Sequence, residues 1–128
     1  MSGSLFIAAP PGVQWPLSLD DVEAFLRQRF PDAMITRETL ATSGEPYLDF
    51  DVRFPDGMTR HGVYVERGSL MLSDGTPADW ADTIAAFLAL LPPGTPTAVM
   101  VEDEPVPVPL PEGTTTPDAI RELLESLG

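Results

Sequence analysis

Closely spaced turn signals within residues 47–72 constrain the fold more than any other feature of this sequence. Residues 47–54 (YLDFDVRF) alternate polar and apolar side chains, the period of two that is typical of a β-strand with one buried face. The pair Asp56-Gly57 follows at once, and Asp-Gly is favoured in two-residue hairpin turns because those turns need positive φ angles. The segment therefore predicts a β-hairpin.

A second tight turn is predicted at Arg67-Gly68, which extends the hairpin into a meander of three antiparallel strands. The two turns predict these opposite residues: Phe54 and Thr59, Val52 and His61, Phe50 and Val63, Leu48 and Val65, Val65 and Leu70, and Val63 and Leu72. In this register the apolar side chains of all three strands share one face, whereas a slip of one residue would invert a strand. We therefore expect His61 to be a core or hairpin-end residue.

The chain before the meander predicts an arm and a helix. Residues 1–16 are rich in proline and predict an irregular N-terminal arm, in which residues 5–7 are compatible with an edge strand. Ser18 is a favoured helix N-cap, and Asp21 completes a capping box with it. The first helix is therefore expected to begin after Ser18 and to stop before Pro31.

Two further strands are predicted on either side of the meander. Residues 33–40 form the earlier strand, and two registers stay open for it, with Leu40 opposite either Tyr47 or Leu48. Residues 97–101 (TAVMV) form the later strand, because they are rich in β-branched and apolar residues.

A second helix is predicted to begin at Thr76, with Pro77 in the first helical position. Residues 78–91 are apolar on nearly all sides, so this helix must be covered. Two interpretations stay open. The helix packs centrally between the sheet and another helix, or it presents a face to a partner chain and forms the seam of a homodimer.

The C-terminal part predicts a strap and a third helix. Residues 104–115 carry alternate prolines, which remove the N–H donors that a central strand needs, and predict a polyproline or edge-lying strap. Thr116-Pro117 begins a last helix. Its apolar residues at helical spacing are Ile120, Leu123, Leu124 and Leu127.

The order of these elements predicts a single domain over residues 1–128 with a two-layer α+β architecture. We expect an antiparallel sheet of four to five strands, with the meander at its centre and three helices packed mostly on one face.

The charge of the chain restricts its partners. The formal net charge is -13, with 20 acidic residues, and every one of the 7 basic residues is an arginine. Such a charge disfavours nucleic acids and anionic membranes and favours a basic protein partner.

There is no cysteine, no positive leader segment and no apolar run long enough to span a membrane, so we expect a soluble cytoplasmic protein.

The residues needed for most catalytic and metal sites are scarce. With one histidine and no cysteine, we expect neither a catalytic triad nor a zinc site, and no glycine-rich cofactor loop occurs. We therefore predict no catalytic, metal or cofactor-binding residues. Asp49 and Asp51 lie on one strand face about 7 Å apart, a spacing that some glycosidases use, so a carboxylate-dependent hydrolase is a third-ranked alternative.

The mixed polar face of the meander is the predicted partner-binding surface, because tyrosine and arginine are enriched in interfaces. Arg53 and Arg60 are predicted to be cross-strand neighbours there. The candidate partner-binding residues are Tyr47, Asp49, Asp51, Arg53, Arg60, Tyr64, Glu66, Glu102, Asp103 and Glu104.

The element order, the size and the acidity are similar to those of small secretion chaperones that hold an effector and of immunity proteins that cap a basic toxin. This resemblance implies a non-enzymatic binding module of bacterial type, either immunity or inhibitor protein or chaperone-like. Its carboxylates would engage a basic partner protein. The alternative from another class is a self-associating structural protein with the second helix as its dimer seam.

Overall fold

The computed structural model describes residues 4–102, 104–111 and 116–127, with the backbone alone at residues 104–105. The strands are β1 (Leu5–Ala8), β2 (Met34–Thr39), β3 (Pro46–Arg53), β4 (Thr59–Val65), β5 (Ser69–Leu72), β6 (Ala98–Val101) and β7 (Glu104–Pro109). The helices are α1 (Leu19–Arg29), α2 (Pro77–Leu88) and α3 (Pro117–Leu127). The α+β class, the antiparallel sheet and the three helices are thus confirmed.

The sheet has seven strands in the order β2-β3-β4-β5-β1-β6-β7, so the prediction of four to five strands was wrong. The first addition comes from the N-terminal arm. Its residues Leu5–Ala8 form the central strand β1, which pairs with both β5 and β6 and is not an edge strand. Burial accounts for this position, since Leu5 and Ile7 lie within the hydrophobic core.

The second addition is the proline-rich strap, whose residues Glu104–Pro109 form the edge strand β7 beside β6. Leu110, just past β7, donates its N–H to the Thr97 carbonyl at 2.8 Å. Because N–H directions alternate along a regularly paired stretch, the nitrogen of Pro109 lies on the solvent side, and the pairing of β7 with β6 becomes irregular before Val108. Alternate prolines are therefore compatible with an edge strand. The rest of the strap, residues 112–115, lies outside the described residues.

Both hairpin turns contain three residues, not two, and each moves the register by one position. In the first turn the Gly57 N–H donates to the Phe54 carbonyl and the Phe54 N–H donates to the Met58 carbonyl, both at 2.9 Å. Gly57 has φ 86°, as expected of a turn followed by a residue in the left-handed region. A two-residue turn at Asp56-Gly57 would require an N–H on Pro55, which proline lacks.

The second turn, residues 66–68, behaves in the same way. The Gly68 N–H donates to the Val65 carbonyl at 3.0 Å, and Arg67 carries the positive φ of 62°. Val65 therefore lies opposite Ser69, and not opposite Leu70.

The predicted register of the meander was therefore wrong, although its topology was right. Phe50 lies opposite Gly62, and Leu48 lies opposite Tyr64. Each turn shifts the pairing register by one residue. The first shift turns β4 over, so that its two faces are exchanged. The second shift restores β5 to its expected orientation. Val63, which was expected under the helices, points to the opposite side from Phe50.

Strand β2 adopts neither of the two registers left open by the sequence. It pairs with β3 so that Arg37 lies opposite Leu48 and Glu38 opposite Tyr47. Leu40 lies beyond the strand and donates its N–H to the Glu45 carbonyl at 2.9 Å.

The hydrophobic core lies on one side of the sheet, which we call the inner face. Five strands contribute ten of its buried apolar side chains, and all three helices add residues to the same cluster. The buried strand residues are Leu5, Ile7, Leu48, Phe50, Val52, Tyr64, Leu70, Leu72, Val99 and Val101. The Phe87 ring of α2 lies 5.6 Å from Trp15 and 5.8 Å from Tyr64 between ring centroids, so aromatic packing joins helix to sheet.

The helix boundaries follow the capping signals of the sequence. Ser18 and Asp21 form a complete capping box at α1, and Thr76 and Asp79 form another at α2. Trp80, Ile84 and Phe87 of α2 are buried within the chain. Internal packing against the sheet and α3 therefore accounts for the apolar character of this helix.

The register can be tested at Gly62. A Cβ atom added there would lie 2.4 Å from Cζ of the buried Phe50 ring, so Gly62→Ala should destabilise the fold by about 1–3 kcal/mol. The next residue is the control, since Val63→Thr alters the opposite side of β4 and should cost less than about 1 kcal/mol. Urea denaturation of both variants measures the free energies of unfolding. A costly Val63→Thr with a tolerated Gly62→Ala would restore the register expected from the sequence.

A second prediction concerns Tyr64, whose hydroxyl donates to the Leu17 carbonyl at 2.8 Å and accepts the Arg67 N–H at 3.2 Å. Tyr64→Phe leaves both backbone groups without this partner and should cost about 1–3 kcal/mol near neutral pH.

Burial also raises the pKa of Tyr64 from 10.0 to about 12. Because the pKa is higher in the folded state than in the unfolded chain, the neutral phenol contributes to the free energy of unfolding. That contribution is fully present below pH 10 and is lost as the pH rises through 12.

Denaturation curves at neutral and alkaline pH check this point. The difference in unfolding free energy between the wild type and Tyr64→Phe should narrow by about 2 kcal/mol across that alkaline range. A difference that stays constant with pH would contradict the buried, neutral phenol.

Candidate functional site

The side of the sheet opposite to the helices, which we call the outer face, carries an apolar patch at its centre. Phe6 lies opposite Met71 on one side and Met100 on the other, and Val63 lies opposite Met71. Four adjacent strands thus place four apolar side chains in one row, which spans about 15 Å. Val65 lies two positions after Val63 on the same face. We define the apolar patch as Phe6, Val63, Val65, Met71 and Met100.

The apolar patch is partly exposed to solvent and does not belong to the hydrophobic core. Each of its five residues has intermediate exposure, and none of them packs within the core cluster of the inner face. Among the described residues, all three helices contribute to the core of the inner face. The centre of the outer face is therefore left open, although it consists of the residue types that a protein usually covers.

A carboxylate-rich border follows the β3 side of the patch. Asp49 lies opposite Val63, and its Oδ1 is 3.0 Å from Nε2 of His61. Asp51 lies directly opposite His61 in the strand pairing. The shift of β4 brings these three side chains to one face, so His61 is a half-exposed surface residue and not the core residue expected from the sequence.

Tyr47 and Glu38 continue this border, since they lie opposite each other on β3 and β2. Burial of the phenol, and the neighbouring carboxylates of Glu38 and Asp49, raise the pKa of Tyr47. The tyrosine therefore remains a neutral hydrogen-bonding group beside negative charges at physiological pH.

The outer face is also polar where β5 and β6 end and β1 begins. Ser73 donates its N–H to the His61 carbonyl at 2.8 Å, and its hydroxyl lies 3.5 Å from that of Ser4. The Ser4 N–H in turn donates to Oε2 of Glu102 at 3.4 Å. Glu102 is exposed. Of the remaining acidic candidates, Asp103 and the side chain of Glu104 lie outside the described residues.

Four of the candidate partner-binding residues lie on the outer face as expected, namely Tyr47, Asp49, Asp51 and Arg53. Three others do not. Tyr64 is completely buried under the helices, and Arg60 is 8 % exposed on the inner side of β4. Glu66 lies in the turn after β4, where its Oε2 accepts the Leu19 N–H at 3.1 Å and so supports the start of α1.

Arg60 is the centre of a structural cluster. Its guanidinium donates to both carboxylate oxygens of Asp56 at 3.3 and 3.0 Å and to the Asp74 carbonyl at 2.9 Å. It also lies over the Phe54 ring, 4.4 Å from the centroid. Arg53 lies opposite Thr59, so the expected cross-strand neighbourhood of Arg53 and Arg60 is wrong.

The same contacts shift the pKa values within this cluster. The hydrogen bonds from Arg60 are the main cause that lowers the pKa of Asp56, and the N–H of Met58 adds to the effect. The same contact raises the pKa of Arg60. The pair is therefore charged across the physiological pH range and fixes the β3–β4 turn.

A cleft of about 810 Å³ lies between the end of α1, the β3–β4 turn and the first half of α2. Several of its polar groups are occupied by contacts within the protein. Nε of Arg29 donates to Thr83 Oγ1 at 3.1 Å, and Asp79 lies 3.6 Å from Arg60. Neither Asp49 nor Asp51 lines this cleft.

The geometry around Asp49, Asp51 and His61 favours surface recognition. The three side chains lie on an open sheet face, where water competes for every polar contact and weakens general acid–base chemistry.

Within the described residues, no group of three or more His, Cys, Asp or Glu side chains is placed to hold a metal ion. None of the described helices has the length and apolar character needed to cross a membrane.

Comparison of the chain with models of known protein families, with curated protein sequences and with solved structures found no match.

The structural role of Arg60 leads to a prediction. Arg60→Met should lower the free energy of unfolding by about 2 kcal/mol, because it removes charged hydrogen bonds and a cation–π contact. The pKa of Asp56 is lowered in the folded protein, so the stabilisation is present above the ordinary pKa of an aspartate and is lost as the pH falls through the lowered value. This acid-dependent loss should be smaller in the variant.

Thermal unfolding at a series of acidic pH values measures the effect. The exposed Arg53 is the matched control, and Arg53→Met should change little in either respect. Equal losses in the two variants would refute the structural assignment of Arg60.

Proposed function

We propose that this chain is a non-enzymatic, acidic protein-binding module of bacterial type, of the immunity, inhibitor or chaperone-like class. It engages a basic partner protein through the outer face of its sheet. The observation that carries the proposal is the apolar patch, which is open to solvent and bordered by Asp49, Asp51 and Glu38.

This arrangement supports protein binding because it resembles the general anatomy of an interface. Stable interfaces have a core that is depleted of charge and enriched in aromatic residues and methionine, and a rim that is polar. The apolar patch contains Phe6, Met71 and Met100, and methionine side chains adapt readily to a partner surface. The carboxylates stand at the border, where they stay hydrated and avoid the cost of burying a charge.

The net charge of -13 supports a partner of opposite charge. Acidic side chains around a binding surface accelerate encounter with a basic protein and repel acidic competitors. Such long-range attraction is screened by salt. Burial of the apolar patch would supply the part of the affinity that salt leaves intact.

The proposal predicts that Met71→Lys abolishes partner capture. The new ammonium group would stand in the centre of the apolar patch, where it removes apolar contact and repels a basic partner. The measurement is affinity capture from a lysate of the source organism at low and high salt, followed by identification and quantification of the captured protein.

The matched control is Met58→Lys, the same change at a methionine that is 60 % exposed in the β3–β4 turn, away from the patch. We expect the control to capture the partner as the wild type does, and capture by the wild type to weaken with salt. Equal capture by the two variants would remove the outer face from the proposal, and capture that is independent of salt would remove its electrostatic part.

A further inference from the structure

The two edges of the seven-stranded sheet differ in their ability to accept another strand. At the β7 edge, the nitrogen of Pro109 lies on the solvent side, Pro107 also lacks an N–H, and the pairing with β6 is irregular between Val99 and Val101, so this edge offers no continuous row of donors to a new strand. Val106, which precedes Pro107, is 64 % exposed. The β7 edge is therefore closed to strand addition.

The β2 edge has the opposite character. The Leu40 N–H donates to the Glu45 carbonyl, and this pair fixes the alternation of hydrogen bonds along β2. Residues 34, 36 and 38 therefore bond to β3. The N–H and C=O groups of Ile35, Arg37 and Thr39 point away from the sheet. Residues 34–39 contain no proline, and their pairing with β3 is continuous, so this edge offers an uninterrupted row of donors and acceptors.

The side chains along this edge combine apolar and acidic character. Met34 is 73 % exposed, the highest value among the exposed large apolar side chains of the described residues. Glu38 is exposed on the same face. The one cation of the strand, Arg37, is already paired, since it lies 3.1 Å from Glu23 and also forms an ion pair with Asp20. Hydrogen bonds from Arg27 and Arg37 lower the pKa of Glu23.

We propose that β2 is a docking edge, at which an extended basic segment of the partner adds as an eighth strand. This inference rests on the proposed function and specifies how the partner binds. Backbone hydrogen bonds to Ile35, Arg37 and Thr39 provide the affinity that any extended chain shares. Specificity comes from the side chains of the segment, with an apolar residue beside Met34 and a lysine or arginine beside Glu38.

Charge complementarity selects the partner segment over a second copy of this chain. Pairing of two β2 strands would bring together two molecules that each carry a net charge of -13. Like charges across an interface oppose association, whereas a cationic segment gains from the same field. Strand addition would also extend the outer face towards the partner, so the edge and the apolar patch can contact one partner together.

Hydrogen exchange on the full chain tests the docking edge directly. The probe is a capped, lysine-rich peptide of about eight residues with a valine four positions from a lysine, so that the two can lie beside Met34 and Glu38 on one face, and a peptide with glutamate in place of each lysine is its counterpart. The lysine peptide should protect the amides of Ile35, Arg37 and Thr39, which point to solvent in the free protein, and the glutamate peptide should not. Protection with both peptides, or with neither, overturns the inference.

A pair of substitutions at Arg37 separates the contribution of its outward backbone N–H from the contribution of its side chain. Arg37→Pro removes one outward N–H, and Arg37→Ala removes the same ion pairs but keeps that N–H. Binding of the lysine peptide should weaken at least about tenfold in Arg37→Pro and should be unchanged or tighter in Arg37→Ala. Equal binding by the two variants contradicts strand addition.

The outcomes distinguish this inference from the proposed function. If the lysine peptide binds without protecting the three amides and Met71→Lys abolishes that binding, the docking edge is wrong while the acidic outer face stands. If the amides of the protein alone become protected as its concentration rises, the occupant is a second copy, and the choice of a basic partner segment is overturned.

Discussion

The missing N–H group of Pro55 determines which side of β4 faces the helices, and the rest of the structure depends on that choice. Because the turn must lengthen to three residues, Gly62 lies beneath the Phe50 ring and Tyr64 reaches the core. The same shift sends His61 and Val63 to the outer face. A single residue in a turn thus decides which side chains β4 contributes to each face of the sheet.

Local signals of the sequence predicted the helices well. Ser18 with Asp21 and Thr76 with Asp79 form capping boxes that need only a few neighbouring residues, so the sequence contains all the information for them. The period of two in β3 also suffices to place Asp49 and Asp51 on the solvent side. These features do not depend on distant parts of the chain.

Features that depend on distant partners were predicted poorly. Leu5 and Ile7 form too short a segment to reveal that β5 and β6 enclose them, and alternate prolines conceal β7. On β4, Arg60 and Tyr64 were expected at the surface because polar side chains usually are, yet each is satisfied by hydrogen bonds beneath the helices. Most of the apolar patch was missed for the same reasons.

The proposed binding depends on two physical terms, an apolar surface left open and a negative field around it. The open apolar surface is the more demanding claim, and relaxation of methyl NMR signals by a neutral soluble paramagnetic agent measures it most directly. We predict strong broadening for the methyl groups of Met71 and Met100 and little for those of Leu70 and Leu72. Equal protection of all four residues in the isolated chain would show that the outer face is covered and would contradict the account.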